Sequence, residues 1–503
     1  MLARVVTFAL DGVDARRVWV EADIRLGLPA FTVVGLADKA VREARERVRA
    51  AIVNSGFEFP LKRITVNLAP AYLRKVGPAF DLPLALAVLT ASGQVAPEAV
   101  AGCAVVGELS LTGEVRPIRG ALAIAEGARR DELARLVVPL ARAREAAFVP
   151  ELPVVGVESL QQAVEVLRGD ADPPPLPEAD CEPFEYALDL ADVRGHNGLV
   201  PGLEVAAAGG HNVFLQGPPG SGKTMLARRL PSLLPPLTHG EAIEVTRIHS
   251  VAGLHGASGL AAERPFRAPH HTISAAGLVG GANPPQPGEA TLAHHGVLFL
   301  DELSEFARPS LEALRQPLED GDVTIVRGQR VMRFPTRFML VAASNPCPCG
   351  FGDERCRCTA TDIARHHRRL SGPLLDRIDV LMRVGRPTAD ALRSQTAPAS
   401  GDVRARVLAA RERQTHRLRD EPETCNAQLT PRQLREHGRV TSAAQRLLSE
   451  LYDAKGLSAR GHTRILRVAR TVADLEGSAT VEPVHIDIAS GLRLERAALS
   501  EAA

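Results

Sequence analysis

Gly217-Pro218-Pro219-Gly220-Ser221-Gly222-Lys223-Thr224 follows the short apolar run Val213-Phe214-Leu215 and precedes Met225-Leu226-Ala227-Arg228-Arg229-Leu230. The run predicts a buried strand and the residues after the loop an amphipathic helix, so the glycine-rich stretch is a strand-to-helix turn. Glycines let successive backbone N–H groups point inward at an anion, and the helix adds its positive N-terminal end. In such a loop Lys223 reaches the β- and γ-phosphates of a nucleotide, and Thr224 places its hydroxyl on Mg²⁺. The predicted fold is therefore α/β, built around a phosphate site.

A second element lies 77 residues beyond Thr224. Val297-Leu298-Phe299-Leu300-Asp301-Glu302 is an apolar run that ends in two acids. A buried strand that delivers carboxylates at its tip suits a phosphate site: Asp301 for the Mg²⁺ shell, Glu302 to polarise an attacking water. A third strand is predicted over Phe338–Ala343, followed by Ser344-Asn345-Pro346. Asn345 either orients a water near the γ-phosphate or simply starts a turn with Pro346. In Ser371-Gly372-Pro373-Leu374-Leu375-Asp376-Arg377-Ile378-Asp379, Arg377 is either a surface ion pair or an arginine finger acting on a neighbouring subunit's nucleotide. Arg460, Arg464 and Arg467 share one face of a predicted helix, either solvated or turned toward phosphate.

The length of 503 residues calls for more than one core. Lys and Arg number 60 against 59 Asp and Glu, so bulk charge advertises no nucleic-acid partner and any such contact must be local. Aromatics make up only 4%, which argues against an extensive base-stacking platform. No run approaches the ~18 apolar residues of a membrane span, and the N-terminus lacks a convincing cleavage site. A cytoplasmic protein with no membrane partner is expected. Proline and acid crowd residues 170–185, which predicts an extended linker. Before it, Val18–Ile24 and Arg63–Leu68 read as strands and Lys39–Asn54 as a helix, an α+β unit. Beyond a soft boundary near residue 391, Val403–Arg419 and Arg460–Glu476 read as helices.

Three features remain. Asp322–Phe334 alternates around Arg327-Gly328-Gln329-Arg330 and reads as a β-hairpin with cationic residues at its turn. Such a tip is either ordinarily solvated or tracks a phosphate backbone without reading sequence, with Arg327, Gln329 and Arg330 as the contacts. Four of the seven cysteines cluster as Cys347-Pro348-Cys349 and Cys356-Arg357-Cys358, within reach of one tetrahedral, structural Zn²⁺. The pairs His270-His271, His294-His295 and His366-His367 should diverge on a strand or helix, so they are expected to be structural or to support the nucleotide site rather than to chelate.

Taken in order, GPPGSGKT, FLDEL, AASNP, LLDRID and LSARGHTRILRVARTVADL resemble the Walker A, Walker B, sensor 1, arginine-finger and sensor 2 motifs of AAA+ ATPases. AAAGGHNVFLQGPPGSGKTMLARRLPSLLPP, FRAPHHTISAAGLVGG and SGPLLDRIDV are similar to the magnesium-chelatase-like branch, and within it to the ComM/YifB family, over essentially the whole chain. The resemblance implies an AAA+ P-loop core over 186–390 with an α-helical C-terminal lid over 391–503. It implies ATP with Mg²⁺ held by Gly217–Met225 and Asp301. It places Asn345 at sensor 1, Arg377 at the finger and Arg460, with Arg464 as runner-up, at sensor 2. It also implies a hexameric ring with sites between subunits.

Gly77-Pro78-Ala79-Phe80-Asp81 and Gly107–Ile118 resemble the proteolytic domain of Lon, so 1–169 is expected to have that α+β, ribosomal-S5-domain-2-like fold. The nucleophile position holds Ala79 and the base position Leu122, and neither can perform acyl transfer. The implied function is an ATP-driven DNA motor, for helicase or branch-migration work in recombination and natural transformation. A chelatase motor subunit is the alternative, and an ATP-dependent protease a distant third.

Overall fold

Along residues 17–25 burial alternates residue by residue, with Val18, Val20, Ala22 and Ile24 buried and Arg17, Trp19, Glu21 and Asp23 less so, Trp19 packing on the opposite face. This is the period of a half-buried strand. The computed structural model describes residues 2–35, 38–177, 186–254, 259–281, 285–327, 330–352, 355–370, 372–394, 397–455 and 457–501. They form two units, Met1–Pro183 with His239–Ala261 and Phe184–Thr238 with Ala262–Ala503.

The first unit contains β1 (Leu2–Asp11), β2 (Asp14–Arg25), β3 (Ala30–Val34), β4 (Arg63–Ala69), β5 (Cys103–Val105), β6 (Glu108–Leu109), β7 (Val115–Arg116), β8 (Arg135–Pro139) and β9 (Val154–Val157). Seven of them form a mixed sheet in the order β3-β4-β2-β1-β5-β8-β9, and β6 pairs with β7 alone. The strands expected at 18–24 and 63–68 lie inside β2 and β4, and the helix Lys39–Asn54 has the expected bounds. The helix Asp81–Ala91 is buried on every side, which suits its run DLPLALAVLTA. Its one charge, Asp81, is paired with Arg47 through Nε–Oδ2 and Nη2–Oδ1 contacts of 2.8 and 3.0 Å.

The helix His239–Ala252 belongs to this unit, although its position in sequence falls within 186–390. Its Ile243 and Val251 pack into the cluster of Phe8, Leu122 and Ala128. Ser250 Oγ accepts from Gly120 N at 3.0 Å and donates to Glu145, and Arg247 pairs with Glu126 at 3.3 Å.

The second unit holds β10 (Val213–Gln216), β11 (Phe266–Arg267), β12 (Val297–Leu300), β13 (Asp322–Arg327), β14 (Arg330–Pro335), β15 (Met339–Ser344) and β16 (Val380–Arg383). Five form a sheet in the order β11-β12-β15-β10-β16, every pairing parallel. Val213, Leu215, Val297, Phe299, Val341 and Val380 face one apolar cluster, whereas Phe214, Leu298, Leu300, Leu340 and Leu381 face another. Both sheet faces are therefore covered, which is why these strands read as unbroken apolar runs. Helices Val200–Gly209, Lys223–Leu233, Ser400–Arg417 and Ala459–Glu476 contribute to the first cluster. Because Leu300 pairs with Ala342 and Leu215 with Ala343, the segments that leave β12, β15 and β10 emerge side by side at the C-terminal edge. β10 lies between β15 and β16, so the chain diverges there, as at the crevices where open parallel sheets take ligands.

Candidate nucleotide site

Gly220 and Gly222 adopt φ values of 71° and 96°, a left-handed backbone that lets the loop turn tightly into the helix Lys223–Leu233. The loop borders a cavity of about 450 Å³, lined also by Asp301, Glu302, Ser344 and Asn345. That is the scale of a small-molecule site. Lys223 Nζ donates to Gly217 O at 2.7 Å, Pro218 O at 3.0 Å and Asn345 Oδ1 at 3.1 Å. Burial pulls the Lys223 ammonium below its usual range, and the nearby Asp301 and Glu302 oppose that shift. Thr224 Oγ1 donates to Asp301 Oδ2 at 2.8 Å. Among the described residues, Ser221 Oγ is buried without a hydrogen-bond partner. An orphaned hydroxyl, a buried cation, a hydroxyl–carboxylate pair and a helix N-terminus together fit a Mg²⁺-bound nucleotide phosphate.

Glu302 stands at φ 53°, in the left-handed region, which costs a non-glycine residue roughly 1–2 kcal/mol. Such strain gathers at functional sites. Glu302 N donates to Asp301 Oδ1 at 3.0 Å, and the exposed Glu302 carboxylate lies 3.7 Å from His271 Nδ1. The expected divergence of neighbouring histidines fails at His270-His271 and His294-His295, whose ring centroids are 4.1 and 4.0 Å apart. These residues stand in loop and turn segments, so neither strand nor helix geometry separates the rings.

Asn345 follows β15 directly and is held from behind, since His366 Nε2 donates to its carbonyl at 3.0 Å. His367 Nε2 donates likewise to Pro346 O at 3.2 Å. His196 is buried against the loop: a methyl group on Gly222 would lie 3.0 Å from its Nε2, and burial lowers its pKa. Sequence reading missed His196 because no motif marks it. The His366-His367 pair offered a signal, but no partner.

Neither Arg377 nor Arg460 lines the cavity. Arg377 is 6% exposed, is ion-paired with Glu319 and precedes β16 at the N-terminal edge of the sheet. Asn212, just before β10, fixes it there by donating from Nδ2 to Arg377 O at 2.9 Å. The four-residue strand separates that edge from the loop by about 13 Å. Arg460 is exposed on the first turn of the helix Ala459–Glu476, while Arg464 meets Asp379 at 3.3 Å. Burial alone would raise the pKa of Asp379. The hydrogen bond from His211 and the charges of His211, Arg464 and Arg467 outweigh it and bring Asp379 to about 2.

β13 and β14 form the expected hairpin, in register down to Arg327 opposite Arg330. Val323, Met332 and Phe334 anchor its base, while Val326 and Val331 stand exposed on the outer rung. Gly328 and Gln329, and the side chains of Arg327 and Arg330, lie outside the described residues.

The four cysteines of the 347–358 segment converge. Sγ–Sγ distances are 3.3 Å for Cys347–Cys349, 3.5 Å for Cys347–Cys356 and 3.6 Å for Cys349–Cys356. All four sulfurs lie within 4.8 Å of one another. N–H groups of Phe351 and Arg357 hold the Cys349 thiol down to about 6, whereas burial pushes Cys347 up to about 12.

Among the described residues no helix is long and apolar enough to cross a membrane. Family models match three stretches: magnesium chelatase subunit ChlI over 189–392, subunit ChlI of Mg-chelatase over 20–142, and the ChlI C-terminal region over 397–493. An uncharacterised protein of Mycobacterium tuberculosis is 45% identical over 480 residues, 95% of each chain. YifB of Salmonella typhimurium is 42% identical over 496 residues, and the competence protein ComM of Haemophilus influenzae 40% over 500, each covering 98% of this chain and 97% of its own. With its P-loop, paired acids and polar strand tip on one parallel sheet, and with likeness running nearly end to end, the chain belongs to the ComM/YifB family of magnesium-chelatase-like proteins.

Proposed function

We propose that this chain is an ATPase that works as a hexameric ring and drives DNA strand exchange, by helicase or branch-migration action, during recombination and uptake of transforming DNA. The observation that carries the ATPase reading is the convergence of Lys223, Thr224, Asp301, Glu302 and Asn345 on one cleft. Lys223 neutralises the β- and γ-phosphates, and Thr224 with Asp301 holds Mg²⁺, which supplies charge stabilisation when bound. Glu302 accepts the proton of the attacking water, and Asn345 orients that water.

The position of Arg377 supports a shared site. It stands at the sheet edge opposite its own loop, so a transition-state role for it requires a neighbouring subunit's nucleotide. Arg460 is assigned as the lid arginine because it is exposed, whereas Arg464 is tied to Asp379. The 391–503 helices serve as the lid of the AAA+ core. Residues 1–169 are assigned a Lon-like fold without protease chemistry, in keeping with Ala79 packed against the apolar cluster that contains Leu122. The four-cysteine cluster is assigned to structural Zn²⁺.

DNA as the load rests on the Arg327–Arg330 hairpin and on the name of ComM, a competence protein. The chelatase family models favour a second reading, the motor subunit of a metal chelatase. Near-complete coverage by YifB and ComM weighs against it. The test is ATP turnover with and without branched DNA, in wild type and Glu302→Gln. DNA-stimulated turnover lost in the variant supports the proposal, and turnover indifferent to DNA removes the motor reading.

A further inference from the structure

The four thiols have the spacing of a preformed tetrahedral site. Zinc–sulfur bonds of about 2.3 Å set the edge of a tetrathiolate tetrahedron at about 3.8 Å. The Sγ–Sγ separations of 3.3, 3.5 and 3.6 Å fall just inside that edge. Backbone amides surround the sulfurs: Cys349 N donates to Cys358 Sγ at 3.3 Å, those of Gly350 and Gly352 face Cys347, and those of Phe351 and Arg357 face Cys349. N–H···S bonds of this kind disperse thiolate charge and fix ligand orientation, as the outer shell of a metal centre does. Among the described residues the cluster holds four thiols and no fifth donor group, the ligand set of a structural zinc site.

The same segment rests on the nucleotide loop. A methyl group on Gly350 would lie 2.7 Å from Pro219 Cδ and Cγ, so the backbone between Cys349 and Phe351 sits directly on the crest of the P-loop. Arg386 Nη2 reaches Pro219 O at 3.4 Å, and its guanidinium faces the Phe351 ring at 6.0 Å. At its other end the segment begins two residues after Asn345, whose side chain accepts from Lys223.

We propose that Cys347, Cys349, Cys356 and Cys358 bind one zinc ion as a tetrathiolate, and that this centre buttresses the nucleotide loop at Pro219, so that zinc and nucleotide bind cooperatively. The coupling rests on the reading of the cleft as an ATP site; the metal assignment does not. A set zinc centre holds Gly350 against Pro219 and fixes the chain that leaves Asn345. A nucleotide that orders the P-loop in turn restrains the zinc loop. Linkage requires the two effects to be equal, and such coupling commonly amounts to about fivefold or more in affinity.

The test uses the full chain. Metal content is measured by mass spectrometry, and the absorption of Co²⁺-substituted protein reports tetrahedral thiolate ligation. Zinc affinity is then measured by equilibrium competition with a chelator, with and without a non-hydrolysable ATP analogue. One zinc per chain, a tetrathiolate Co²⁺ spectrum and zinc affinity raised about fivefold by the analogue are expected, with no rise in Lys223→Ala. Cys356→Ser should lose the metal and bind a fluorescent ATP analogue correspondingly more weakly. If that variant does not fold, the zinc affinities of wild type decide. Absence of zinc, or iron in its place, overturns the centre. Equal zinc affinities with and without the analogue overturn the coupling. Failure of wild type to bind the analogue overturns the ATP reading and the coupling together, and leaves the centre to the metal analysis.

Discussion

Thr224 Oγ1 donates to Asp301 Oδ2 at 2.8 Å, joining the end of the P-loop to the tip of β12 across 77 residues of sequence. The contact brings together the hydroxyl and the carboxylate that hold Mg²⁺ in P-loop ATPases. Glu302, beside them in a left-handed backbone, is turned outward toward the cavity. Asp301→Ala should weaken Mg²⁺-dependent ATP binding about tenfold or more. Glu302→Gln should keep nucleotide affinity and lose turnover by about 10²–10⁴. Fluorescent-nucleotide titration beside steady-state turnover separates the two, and equal losses of affinity in both variants would count against these roles.

Arg377 provides a test of site sharing. Arg377→Ala should lower turnover by about 10³. Mixed with Lys223→Ala, it should regain activity, because an intact loop from one chain then meets an intact arginine from another. A mixture no more active than its separate components contradicts action in trans.

Acid stability follows from Asp379, buried between His211 and Arg464. Its folded pKa of about 2 lies below the ~3.9 of an unfolded aspartate. The stabilisation, on the order of 2–3 kcal/mol, is therefore present above about pH 4 and is lost as pH falls toward 2. The gap in unfolding temperature between wild type and Asp379→Asn should narrow over that window. A gap that is constant with pH contradicts the assignment.

The strands and the P-loop were legible in sequence because both sheet faces are buried, leaving the runs at 213–216 and 297–300 uninterrupted. Lys39–Asn54 was legible for its helical period. Less visible were the contacts that support the site. Asn212 on Arg377, His366 on Asn345 and Gly350 on Pro219 join residues far apart in the chain through backbone atoms, and backbone contacts leave no residue pattern. The resemblance places residues 239–252 inside the 186–390 core, yet the apolar residues of the helix His239–Ala252 complete the N-terminal unit's cluster. Ile243 and Val251 mark it as a helix that packs, without saying against which domain.

The hairpin supplies a prediction that depends on salt. Each arginine that contacts a phosphate contributes about one unit to the slope of log affinity against log salt. Arg327→Ala with Arg330→Ala should lower that slope by about two and abolish DNA stimulation, with turnover in the absence of DNA unchanged. An unaltered slope would place the DNA contact elsewhere.

The central claim is that the cleft built by Lys223, Asp301, Glu302 and Asn345 powers movement on DNA. Its most direct measurement is ATP-dependent strand exchange on a synthetic four-way junction by the purified protein, alongside Glu302→Gln. The account expects the wild type to resolve the junction only with ATP and Mg²⁺, and the variant to bind it without resolving it. Robust ATP turnover with no binding, exchange or stimulation on any forked or four-way substrate would contradict it.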